Sequence, residues 1–130
     1  MRLWLTILKN HHTLLGNIYL FQATGDFYAG ALVGRTYGEC TFTNIQVVNC
    51  EIEGVNKVGG LIGTIAENAA TITNCSVEAS KISTTNEADG GCVAGLVGYV
   101  AGSGTVIENS AVRNTEINAI NSANEAKRAN

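Results

Sequence analysis

Few residues in this chain are equipped for chemistry, and their spacing limits what each could do. Glu51 and Glu53 alternate along one segment and would share a face of a strand. Glycoside hydrolysis needs two carboxylates at a set separation, so this pair is the candidate acid and base of a carbohydrate-active site. Glu53, Glu78 and Glu116 could line one side of the molecule, although the pattern does not put them at equivalent positions. His11 and His12 have no acidic or cysteine ligand near them in sequence. Nothing in the spacing ties either to a nucleophile, and solvated residues of an N-terminal segment are the plainer reading. Asn86-Glu87-Ala88-Asp89-Gly90 offers oxygen ligands of the kind calcium takes. It lacks the spacing of an EF-hand or of the calcium-binding nonapeptide, so it reads as a solvated loop in which Asn86 and Asp89 are candidate ligand contacts.

The segment from Gly98 to Thr105 is glycine-rich but has no lysine to make it a phosphate loop. Asn74-Cys75-Ser76 matches a glycosylation sequon, on an asparagine better explained by a repeat. Tyrosines can stack on sugar rings when exposed on a flat sheet, which makes Tyr28, Tyr37 and Tyr99 candidates for a ligand face, Tyr37 and Tyr99 above all. Packing in a core or cap is their plainer role. No cofactor and no metal is expected.

Cys40, Cys50, Cys75 and Cys92 form no CxxC pair, which argues against structural zinc. Buried free thiols are preferred to two disulfides. The net charge is −3 with no basic run, which argues against nucleic acid and against an anionic membrane surface. No apolar run reaches the roughly 18 residues of a membrane span. The opening, Met1 to Leu8, hints at a signal peptide, but Lys9, Asn10, His11 and His12 interrupt it and no small-x-small cleavage site follows.

These residues must be positioned by a repeat, because self-similarity dominates the chain. Gly30-Ala31-Leu32-Val33-Gly34, Gly59-Gly60-Leu61-Ile62-Gly63 and Ala94-Gly95-Leu96-Val97-Gly98 are three versions of one run. Each leads to an asparagine, Asn44, Asn74 or Asn109, at 10, 11 and 11 residues from Gly34, Gly63 and Gly98. Three residues further on comes Val47, Val77 or Val112, and five beyond that Ile52, Ile82 or Ile117. Copies start 29 and then 35 residues apart, and the extra six fall in the polar stretch from Thr84 to Gly90, a loop. Apolar spacings of two and five, with threonine and valine neighbours, predict short strands. Stacked copies would align Leu32-Leu61-Leu96, Val47-Val77-Val112 and Ile52-Ile82-Ile117 as buried rows. Gly34, Gly60, Gly63, Gly95 and Gly98 mark turns or close approaches. Asn44, Asn74 and Asn109 suit left-handed backbone, and their amides could form a ladder.

This pattern resembles the GLUG repeat of large bacterial surface proteins. Gly60-Leu61-Ile62-Gly63 with Asn74-Cys75, and Gly95-Leu96-Val97-Gly98 with Asn109, carry the resemblance. The first copy departs from it, with Ala31 in place of the second glycine and one residue fewer before Asn44. Ala23-Thr24-Gly25-Asp26 looks like the tail of a preceding repeat, so the resemblance covers about residues 18–118. It implies a secreted or surface-anchored, adhesin-like scaffold, with surface glycans, other proteins or neighbouring repeats as partners, and it implies no reaction.

The expected fold is all-β: a short β-solenoid or β-helix-like stack of about three repeats with an irregular N-terminal cap. Residues 1–17 would be the cap or a non-repeat segment, 18–120 the repeat module (copies about 29–57, 58–92 and 93–120), and 121–130 a polar tail. The expected function is a non-catalytic structural or adhesive module, extracellular or at the cell surface. A carbohydrate-active β-helix enzyme or carbohydrate-binding module is the alternative from another class, and a truncated fragment without independent role is a third.

Overall fold

The computed structural model describes residues 7–9, 12–19, 22–25, 27–67, 69–85 and 91–119. All regular secondary structure among them is β-strand, so no helix is long and apolar enough to cross a membrane. Four sheets form, and every strand pairing in them is parallel.

The first sheet runs Ile7–Lys9, Val33–Tyr37, Ile62–Ile65, Val97–Val100. The second centres on Cys40–Val48, with His12–Tyr19 on one side. On its other side the first half pairs with Ala70–Thr73 and then Val106–Glu108, and the second half with Ser76–Glu78 and then Ala111–Arg113. The third runs Gln22–Gly25, Glu51–Gly54, Lys81–Thr84, Glu116–Ala119, and the fourth Tyr28–Ala29, Lys57–Gly59, Cys92–Ala94. The chain visits these sheets in the same order each time, so each strand lies beside its equivalent in the next copy.

The registers place two predicted rows together, Val47, Val77 and Val112, and Ile52, Ile82 and Ile117, and add a third, Phe42, Ile72 and Ile107. The leucine row is joined by backbone, Leu32 N–H donating to the Leu61 carbonyl and Leu61 N–H to that of Leu96. In the two middle copies these isoleucines and valines are fully buried. In the last copy the same rows open to solvent, with Ile107 47% and Val112 37% exposed against 0% for Ile72 and Val77. A parallel stack buries each row only between two neighbours.

The stretch read as a cap or non-repeat segment behaves differently where it is described. Ile7–Lys9 pairs with Val33–Tyr37, and His12–Tyr19 with Cys40–Val48, so these strands with Gln22–Gly25 and Tyr28–Ala29 make one more circuit ahead of the three copies marked by the glycine run. Parallel pairing is made by backbone groups and does not require the glycine run. By register Leu14 lies opposite Phe42 and Ile18 opposite Val47, with a shift between Leu14 and Gly16 where this strand lacks one residue.

Two corners interrupt the second sheet, each built on left-handed backbone. Asn44, Asn74 and Asn109 have φ of 56°, 54° and 49°, as their spacing predicted. Asn49, Ala79 and Asn114 form a second such row, with φ of 54°, 50° and 47°, not foreseen from the sequence because alanine breaks it. Asn74 Nδ2 donates to Asn44 Oδ1. Among the described residues Asn109 shares the backbone geometry but not this amide ladder. After three of these left-handed positions a hydroxyl links the copies. Ser80 Oγ donates to the Glu78 carbonyl and accepts Cys50 N–H, and Thr115 Oγ1 does the same for the Arg113 carbonyl and Ser80 N–H. Ser110 repeats the arrangement at the other corner, donating to the Glu108 carbonyl and accepting Cys75 N–H. Cys50 and Cys75 thiols point at the carbonyls two residues back in the same way, at 3.3 and 3.4 Å. Cys40, Cys50 and Cys75 are thus buried corner and core residues, Cys92 is half-buried, and none of the four forms a disulfide.

The glycine run marks close approach. A Cβ on Gly60 would stand 2.1 Å from the Gly95 carbonyl oxygen, and one on Gly98 2.6 Å from that of Val58. Ala31 replaces the equivalent of Gly60 in the first copy, where it is buried and donates its N–H to the Gly60 carbonyl.

Candidate functional site

Close approach at the glycines brings the first and fourth sheets side by side, and their outward residues form a single strip. On the first sheet Arg35, Thr64 and Tyr99 occupy one register position, with Thr64 buried between the other two. On the fourth, Tyr28, Lys57 and Cys92 do. Arg35 Nη1 donates to Tyr28 Oη at 3.1 Å. The guanidinium carbon lies 5.0 Å from the Tyr28 ring centroid and 4.4 Å from that of Tyr37. Tyr37 stands two residues beyond Arg35 on the same strand and therefore on the same side. Lys57 Nζ lies 4.8 Å from the Tyr99 ring centroid and 3.9 Å from Cys92 Sγ. Phe27, 50% exposed, meets Tyr28 edge to face at 4.8 Å.

The result is an alternation of aromatic and cation, Tyr37, Arg35, Tyr28, Lys57, Tyr99, running across successive copies. Each ring–cation contact contributes about 0.5–2 kcal/mol, depending on how far water is excluded. Arg35 is half-buried, and its Nε is enclosed without a hydrogen-bond partner. Such a face can stack flat apolar surfaces and hold negative charge, which suits recognition.

Tyr28, Tyr37 and Tyr99, singled out in the sequence as stacking candidates, all lie on this strip. Arg35 and Lys57 were missed. The available signal was the residue after each repeat glycine, Arg35, Thr64 and Tyr99, which varies while the glycines recur. Asn86 and Asp89 lie outside the described residues, as do His11 and the side chain of His12.

The other candidates separate. Glu51 and Glu53 are exposed on one strand of the third sheet, with Lys81 opposite Glu51 and Ser83 opposite Glu53. They share a groove of about 290 Å³ with Lys81, Ser83, Asn118 and Ala119. Glu51 and Glu53 stand on the same strand, not on facing walls. Glu116 aligns with Glu51 through Lys81, whereas Glu78 belongs to the second sheet, between Val48 and Arg113. Among the described residues no three His, Cys, Asp or Glu side chains gather as a metal site. Gly34, Gly63 and Gly98 recur on the first sheet, and Gly60 and Gly95 at the corner before it.

Residues 54–83 match the family of the GLUG motif. The matched span holds Gly59-Gly60-Leu61-Ile62-Gly63, both corners of the second copy, and strand residues up to Ser83. No curated protein and no solved structure matches the chain.

Proposed function

From a chain that carries the GLUG motif, we propose a short β-solenoid that serves as a non-catalytic structural or adhesive module of a bacterial cell-surface or secreted protein. The observation that supports it most is the coincidence of register in four sheets: each copy repeats the same circuit beside the last, and the apolar rows run between them. A stack of this kind is stiff, since each copy is tied to the next by parallel ladders and by corner hydroxyls, and it presents flat sidewalls. The sidewall carrying Tyr28, Arg35, Tyr37, Lys57 and Tyr99 is the binding face, with surface glycans as its partner. Fractionation of native cells, with an antibody raised against residues 91–119, tests the location. Signal in the surface or secreted fraction is expected, and signal confined to the cytosol would refute it.

The groove beside Glu51 and Glu53 supports a second reading, a carbohydrate-active enzyme. That reading requires release of reducing ends from a polysaccharide, abolished in Glu51→Gln and Glu53→Gln. No release from a panel of plant, algal and bacterial polysaccharides removes it.

A further inference from the structure

We infer that the tyrosine strip binds an acidic polysaccharide, with Arg35 as the contact for its carboxylate. The inference rests on the reading of this face as glycan-binding and adds the charge of the ligand. Among the described residues the neighbours of the Arg35 guanidinium are the rings of Tyr28 and Tyr37, not a carboxylate. Acidic residues outnumber basic ones in this chain, 11 to 8, so a cation left without an acidic neighbour is a local departure from the protein's own charge balance. Withdrawing charge from water without a counter-ion is unfavourable, and an arriving anion relieves it.

The geometry narrows which anion. Two rings lie beside the guanidinium, and one N–H of Nη1 is committed to Tyr28 Oη. A guanidinium carries five N–H donors, all in its plane. A planar carboxylate approaching edge-on matches that plane with paired hydrogen bonds. Lys57 adds a second cation one circuit along from Tyr28. Tyr99, 43% exposed, adds a ring one circuit beyond Lys57. At about 4.8 Å between neighbouring strands, two steps from Tyr28 to Tyr99 cover roughly 10 Å, the scale of two linked sugar rings and not of a single ion. A sugar polymer bearing carboxylates uses both features, its apolar ring faces on tyrosine and its acid groups on the cations. A neutral glycan leaves Arg35 unpaired, and a small inorganic anion leaves the rings unused.

Calorimetric titration of the full chain with polygalacturonate, and with the same polymer after reduction of its carboxyl groups, tests this. Binding of the acidic polymer at least tenfold tighter than the reduced one is expected, weakening with added salt. Arg35→Gln should lower affinity for the acidic polymer about tenfold or more, as expected for a lost charge-assisted hydrogen bond, and leave the reduced polymer unaffected. Lys57→Gln should act in the same direction and serves if Arg35→Gln does not fold. Equal affinity for the two polymers would overturn the acidic class while leaving a glycan-binding face, and binding of neither would overturn both. Unchanged affinity in folded Arg35→Gln, or in folded Lys57→Gln if that variant stands in for it, would move the site elsewhere. Tighter binding of a single-stranded oligonucleotide would also overturn the inference.

Discussion

The Asn74 side-chain amide donates to that of Asn44 at 3.3 Å, and both residues hold left-handed backbone. One residue type thus satisfies two demands of the corner, a positive φ and a link between neighbouring copies. The second corner meets the first demand less well, because Ala79 sits between Asn49 and Asn114 in register with φ 50°.

That weakness is correctable. Left-handed backbone costs a residue with a Cβ about 1–2 kcal/mol, while asparagine and glycine tolerate it better. Ala79→Asn should raise unfolding stability by about 1 kcal/mol, read as a higher urea midpoint with an unchanged m value. Ala79→Val should lower it.

The corner hydroxyls should be replaceable by thiols and not by methyls. Ser80→Ala leaves the buried Cys50 N–H without its acceptor, at a cost of about 1–3 kcal/mol. Ser80→Cys should lose less than half of that, since Cys50 and Cys75 already direct thiols at the carbonyl two residues back. Urea unfolding of the two variants compares them directly.

Gly60→Ala should be among the most damaging single changes. Its Cβ would meet the Gly95 carbonyl oxygen at 2.1 Å, and Val77 and Ile82 side chains at 2.9 Å. Backbone has to move, so a loss of about 3 kcal/mol is expected. Gly104→Ala, which adds a Cβ with 3.6 Å of clearance but at φ 80°, should cost less in the same melting experiment.

Equivalent residues should differ in energy according to their place in the stack. Ile72 and Ile107 share a register position, yet the first is fully buried and the second 47% exposed. Ile72→Ala should cost about 2–5 kcal/mol and Ile107→Ala about 1. Equal losses would mean that the end of the stack is covered in solution.

Burial pushes the Cys75 thiol above its ordinary value of 9.0, outweighing backbone hydrogen bonds that favour the thiolate. The folded state therefore holds this proton more tightly than the unfolded chain. The resulting stability is complete below pH 9 and is lost as pH rises from there through the folded value. Cys75→Ser, which puts at this corner the hydroxyl that Ser110 carries in the next copy, should flatten the alkaline fall in stability between pH 8.5 and 11. An identical fall in the variant would assign it to other groups.

Much of this protein was legible before folding was considered. The interval between glycine runs, with Val47, Val77, Val112 and the isoleucines in step, determines which residues become neighbours, because a parallel stack pairs equivalents. The asparagines announced their backbone, since few other residues accept it. What only the tertiary structure decided is which sheets lie side by side. Arg35 and Tyr28 are seven residues apart and Lys57 and Tyr99 forty-two, and no periodicity joins them. They meet because the first and fourth sheets approach across glycines that leave no room for a side chain. The circuit formed by the strands Ile7–Lys9, His12–Tyr19, Gln22–Gly25 and Tyr28–Ala29 was hidden for a related reason: backbone hydrogen bonds extend a parallel sheet whatever side chains the next strand carries, so that strand need not repeat the motif.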